Sequence, residues 1–143
     1  MAIKQSDWAT GRRVTATSGE AGEVMCERFS YIITSNLGAG DIIEIGPLPA
    51  FAHPVDATLV SDELGTVTLD AGIMSGDFGS TDQARTCGAE LFSAAADGAA
   101  VRASLPGAFR LNSMDKDRGI GVKVSAAITA ASQRIDLLLY FRQ

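Results

Sequence analysis

The sequence predicts an all-β fold, a jelly-roll or related antiparallel β-sandwich of about seven or eight strands with one short helix and an extended N-terminal arm. Three observations predict it. Apolar residues alternate with period two in run after run, as in Val67, Leu69, Ala71 and Ile73 against Thr66, Thr68 and Asp70. The runs stand roughly 8 to 12 residues apart, divided by turn-forming clusters such as Gly46-Pro47-Leu48-Pro49 and Ser61-Asp62-Glu63-Leu64-Gly65. The chain has 143 residues, 46% of them hydrophobic, enough for one core that buries roughly two-thirds of the unfolded surface without metal or disulfide.

In chain order, residues 1–22 are polar and small, with Gly11, Gly19 and Gly22, and are expected to form the arm; residues 23–143 form a single β-sandwich domain. Trp8 is the one large side chain of the arm, placed either back on the domain, which is favoured, or in a partner's pocket. Residues 23–34 (EVMCERFSYIIT) fit a strand or a short helix, and the alternation of Phe29, Tyr31 and Ile33 favours strand in the second half. The clearest stretch is 41–78, with Ile43 and Ile45 sharing one face, then Val55, Ala57 and Leu59, then the Val67 set, each strand having one buried and one wetter face. Residues 89–96 (AELFSAAA) hold good helix formers ended by Asp97-Gly98 and are expected to be the short helix. A brief run follows at 108–111. Finally Ile120, Val122, Val124, Ala126 and Ile128 face one way, as do Ile135, Leu137, Leu139 and Phe141 after the turn at 130–133, and the two runs are expected to pair as a hairpin. The reverse face of the last run, Asp136, Leu138, Tyr140 and Arg142, is too apolar for a wet face and too charged for a core, which suits a subunit contact.

Composition excludes several functions. A formal net charge of -5 argues against nucleic acid, whose backbone is bound by an excess of Lys and Arg. No run approaches the ~20 apolar residues of a membrane-spanning helix, and no apolar leader opens the chain, so no membrane partner and synthesis in a cytoplasm are expected. Cys26 and Cys87 lie far apart without a CxxC and read as reduced, partly buried thiols rather than a disulfide. His53, the one histidine, sits in a Pro-flanked connection with no nucleophile in register, so no catalytic residue is assigned. A cupin-like metal site needs several histidines, and the loop pairs Asp62/Glu63, Asp77/Asp82 and Asp115/Asp117 lack calcium-loop spacing; turn-forming aspartates explain them, and no cofactor or metal is expected. Gly38-Ala39-Gly40 and Gly119-Ile120-Gly121 lack the Lys-Ser/Thr ending or strand-to-helix context of a phosphate loop.

Four pieces, GDIIEIGPLP (40–49), LDAGIMSGDFG (69–79), RTCGAELF (85–92) and DKDRGIGVKV (115–124), resemble small virion structural proteins of tailed bacteriophages, the head decoration or cement proteins encoded with the major capsid protein. The resemblance runs from about residue 36 to the C-terminus. It implies a non-enzymatic protein that binds the major capsid protein on the outer surface of an HK97-type shell and stiffens it. With it go a virion location and a homo-oligomer, a dimer ahead of a trimer. Trp8, Arg12 and Arg13 of the arm and Leu138, Tyr140 and Arg142 of the last strand are the expected capsid or subunit contacts. A phage tail or fibre module that binds a carbohydrate or receptor is the alternative on the same fold.

Overall fold

The computed structural model describes residues 1–16 and 22–143. Among these, nine strands and one helical turn follow as β1 (Ile3–Gln5), β2 (Met25–Ile32), β3 (Ile42–Leu48), β4 (His53–Ser61), β5 (Thr68–Ile73), β6 (Phe92–Ala96), β7 (Ala100–Arg102), α1 (Pro106–Phe109), β8 (Arg118–Val124) and β9 (Arg134–Arg142). They form two sheets, ordered β1-β3-β8-β5-β6 and β2-β9-β4-β7. All pairings are antiparallel except the short parallel β1–β3 edge. The β-sandwich expected from the patterning is therefore what the chain builds; the extra strands are the three-residue β1 and β7, too short to show a period.

The core lies between the sheets. Ile43, Ile45, Leu69, Ala71, Ile120, Val122 and Val124 project from the first sheet onto Phe29, Ala57, Leu59, Ile135, Leu137, Leu139 and Phe141 of the second. These are the alternate residues of their runs, because successive side chains of a strand point to opposite faces. Where a strand must shift phase it does so at a bulge, between Glu44 and Gly46 in β3 and between Pro54 and Asp56 in β4. Gly46 has no alternative at its site, since a Cβ there would run into the Phe29 ring. His53 is not in a connection but opens β4, opposite Arg142.

Three further expectations are corrected. The last two strands do not pair: β8 lies between β3 and β5 in one sheet and β9 between β2 and β4 in the other, and residues 125–133 cross from sheet to sheet. Period-two patterning says which side chains point inward but not which strand is the neighbour, and each of these strands is central, with partners on both edges. Residues 89–96 do not form a helix. Phe92–Ala96 is the edge strand β6, Leu91, Phe92 and Ala95 are buried, and Ala94 at φ 51 donates its N–H to Asp70 Oδ1 at 2.7 Å. Pairing with β5 and inward packing outweigh an alanine-rich helix preference worth a few tenths of a kcal/mol per residue. The helical turn is instead Pro106–Phe109, in the brief run after it, where Pro106 stands in the first turn and Ala108 is buried. Third, β3 has no wet face, as every residue from Ile42 to Leu48 is buried.

The N-terminal segment lies on the domain. Ile3–Gln5 pairs with Ile42–Glu44, Ser6 Oγ donates to the Ile45 carbonyl at 2.6 Å, and residues 6–13 turn tightly, with Thr10 N donating to Ser6 O. Trp8 is 6% exposed, its ring edge-to-face with Phe29 at 5.4 Å between centroids. Of the expected arm, residues 17–21 lie outside the described residues.

Candidate functional site

The two outer faces of the sandwich differ, and the difference begins in the sequence between β5 and β6. Residues 74–91 fold back over the outer face of the first sheet, where Met74 bridges Cys87 and, with Ile3 and Ile42, makes a second small apolar cluster. The sheet permits this close approach because its outward positions there are glycines. A Cβ on Gly121 would stand 2.8 Å from Cys87 Sγ and from Met74 Cγ, one on Gly72 would meet the Gly88 backbone and Glu90, and one on Gly119 would meet Glu44 and Arg85. Polar groups buried beneath residues 74–91 are paired. Arg85 donates to both Glu44 carboxylate oxygens at 2.6 and 2.9 Å, to the Ser75 carbonyl at 2.8 Å and to the Ser80 carbonyl at 3.0 Å. Glu44 accepts further bonds from Gly79 N and Gln5 Nε2, and Glu90 from Ile73 N. Burial, with the negative field of Glu90 and Asp70, pushes the Cys87 thiol up to about 12, against a backbone hydrogen bond from Gly72 and the charge of Lys123, which favour the thiolate. This face is closed by the chain itself.

Among the described residues, no segment folds over the outer face of the second sheet. In register across it stand Cys26–Tyr140–Asp56, then Arg28–Leu138–Thr58–Arg102, then Ser30–Asp136–Val60. Leu138, Tyr140, Thr58 and Val60 are half-buried, Arg28 and Arg102 are exposed, and Ile32 at the end of β2 is 52% exposed. Tyr140 has its phenol held above the ordinary value by a hydrogen bond with Cys26 and electrostatic repulsion from that residue's sulfur, then by partial desolvation and by Asp56 nearby. Arg102 is ion-paired with Asp56 at 2.9 Å and Arg134 with Asp136 at 2.8 Å. Small apolar islands ringed by charged groups are what a polar-rimmed contact surface consists of.

At the β2 edge this face runs into a groove of about 550 Å³ between the strand and residues 5–13. Arg12, Arg13, Arg28 and Arg134 line it, with Trp8 and Tyr31. Arg13 lies over the Trp8 ring at 5.1 Å, Arg12 stands 3.8 Å from Asp7, and Arg134 also donates to Ser30 Oγ. The buried Trp8 Nε1 finds no acceptor among the described residues. Of the residues singled out in the sequence, Trp8, Arg12 and Arg13 thus gather at the groove, and Leu138, Tyr140 and Arg142 on the open face beside it, with Arg28 and Ser30 bordering both.

The remaining polar candidates are used locally. Asp62 accepts Arg134 N, Asp117 accepts Ala50 N, Asp82 accepts Ala84 N, and Asp77 pairs with Lys116. Among the described residues no three of His, Cys, Asp and Glu gather as a metal centre requires, and no helix is long and apolar enough to cross a membrane. Both cysteines are free, and Cys26 is exposed rather than partly buried, because it points outward from an edge strand on the open face. Sequence reasoning missed Glu44, Arg85 and the glycines at 72, 119 and 121. The signal was a lone Glu inside the apolar run IIEIG, an isolated Arg in RTCG, and glycines at alternate strand positions.

No family model matches the chain, and no curated protein does. Solved structures do. A chain in the capsid asymmetric unit of cyanophage Pam1 shares the fold at a TM-score of 0.63, with 22% identity over 91% of this chain and 92% of that one. A chain of the capsid of Ralstonia phage GP4 superposes at a TM-score of 0.91, with 44% identity over 99% of this chain and 98% of that one. At that identity over nearly the whole length, this chain belongs to the family of phage capsid structural proteins represented in the GP4 capsid.

Proposed function

We propose that the chain is a non-enzymatic cement or decoration protein that binds the major capsid protein on the outer surface of an HK97-type shell and stabilises it. The observation that carries this role is the asymmetry of the sandwich: one outer face is closed by the chain's own residues 74–91, while on the other Leu138, Tyr140 and Val60 stand among charged groups with no described segment folded over them. A small domain with one such face adds only a modest interface per copy, but many copies on a symmetric lattice reinforce one another, since each later contact is made at high effective concentration. Self-association belongs to the same role, a homodimer being the commonest closed arrangement. On this account Trp8 holds the groove wall in place, and Arg142 lies at the rim of the contact.

The experiment is co-sedimentation of the purified chain with undecorated, expanded shells, alongside its mass by light scattering. Saturable pelleting at a fixed ratio to the capsid protein is expected, and Leu138→Asp should reduce it at least tenfold without loss of β-structure. Absence of pelleting by the folded wild-type chain overturns the role.

A further inference from the structure

We infer that the arginine-lined groove between residues 5–13 and β2 is a receptor for an acidic, extended segment of the coat protein, whose carboxylates pair with Arg13 and Arg28. The choice of coat protein rests on the capsid-binding role proposed above; the preference for carboxylates does not. Four of the chain's basic side chains converge on one groove of a molecule whose formal net charge is -5. Two of them already have a carboxylate beside them, Arg12 with Asp7 at 3.8 Å on the surface and Arg134 with Asp136 at 2.8 Å. Among the described residues Arg13 and Arg28 have no carboxylate partner, and Arg13 is held over the Trp8 face, which fixes its guanidinium without consuming its donors. A planar guanidinium held as Arg13 is binds a carboxylate through paired bonds, Arg28 offers a second on the facing strand, and the apolar wall of Trp8 and Tyr31 strengthens the attraction.

A second copy of this chain is poorly equipped to fill the groove. Most of its described carboxylates are already engaged: Asp41 accepts Ala2 N and Gly38 N, Asp70 accepts Ala94 N, Asp97 accepts Leu64 N and Glu27 accepts Ala16 N, besides those in ion pairs. Among the described residues Glu63 and Asp115 are the carboxylates without such a bond, and they sit on separate turns rather than on one strand. The groove also borders the open sheet face, so one partner lying across β2 can occupy both.

Trp8 is the single tryptophan and lines the groove, so its fluorescence reports occupancy. The full-length chain is titrated with an oligo-glutamate peptide, and in parallel with a single-stranded DNA oligonucleotide and a neutral peptide of equal length. The expected result is a saturable change with the glutamate peptide that weakens at least tenfold in Arg13→Glu/Arg28→Glu and is unchanged in Arg110→Glu, a charge reversal outside the groove. Rising salt should weaken it as well. A response equal in the double variant, or tighter binding to the oligonucleotide than to the peptide, overturns the inference. Shell pelleting then locates the source: if Arg13→Glu/Arg28→Glu pellets as wild type does, the coat-protein segment is refuted while the capsid role stands. If wild type fails to pellet yet binds the peptide, the capsid role falls and the carboxylate receptor stands.

Discussion

Arg85 and Glu44, 41 residues apart in sequence, meet in a two-pronged ion pair with both side chains essentially out of water. The pair pins residues 74–91 to the outer face of the first sheet. Because each charge depends on the other for its solvation, removing one leaves the other stranded. Arg85→Met should cost about 3–5 kcal/mol, Glu44→Met a similar amount, and the double variant much less than the sum. Urea denaturation of the four proteins in a double-mutant cycle measures this; additive losses would mean that the pair does not act as a unit.

Gly72 should be the least replaceable glycine of that face. A Cβ there approaches the Gly88 carbonyl oxygen to 2.6 Å, a backbone atom that cannot rotate away, whereas at Gly121 the first atoms met belong to the Met74 and Cys87 side chains. Gly72→Ala should therefore destabilise by about 1–3 kcal/mol and expose residues 74–91 to proteolysis, with Gly121→Ala milder on both counts. Denaturation and limited proteolysis with mass spectrometry check the ranking.

The two thiols should behave oppositely. Cys26 is exposed and should react promptly with maleimide at pH 8, while Cys87, half-buried and held protonated, should lag far behind in the folded chain. A bulky label on Cys26, beside Tyr140, should also block shell binding. The raised thiol of Cys87 makes stability fall with pH: between pH 9.0 and about 12 the unfolded chain releases a proton that the folded chain keeps. The slope from this group is at most about 1.4 kcal/mol per pH unit, present in wild type and absent in Cys87→Ala. Denaturation curves at pH 8, 9 and 10 decide it.

Trp8→Ala should damage the fold rather than binding alone. The ring is buried against Phe29, so its loss should cost about 3–5 kcal/mol, against a few tenths for Arg12→Ala at the surface. Thermal or urea unfolding of the two variants measures the contrast, and equal stabilities would place the ring outside the core.

Much of the sandwich is readable because strands advertise which face they bury. Leu69, Ala71, Leu137 and Leu139 all point inward as their alternation requires. What alternation leaves out is the neighbour, so the patterning of β8 and β9 suggests a hairpin although they lie in different sheets. Local preference misled at Ala94 and Ala95, where pairing with β5 decides the conformation. Glu44 alternates with Ile43 and Ile45 and so points away from the core between the sheets, and only its partner 41 positions away explains why β3 is buried on both sides. The four pieces that carry the phage resemblance prove to be neighbours in space: they supply Glu44, Gly72, Arg85 and Gly119, all at the closed face. The site candidates were legible as a charged arm and a mixed strand face, but Arg28 and Arg134 join the groove only once β2 and β9 pair.

The most direct test of the capsid-binding account is hydroxyl-radical labelling of the chain, free in solution and bound to shells, with oxidation at each side chain read by mass spectrometry. Protection of Cys26, Leu138 and Tyr140 on the shells, with Phe78 on the closed face labelled as in the free chain, is the predicted result. Protection at Phe78 with Leu138 and Tyr140 labelled equally in both states would contradict it.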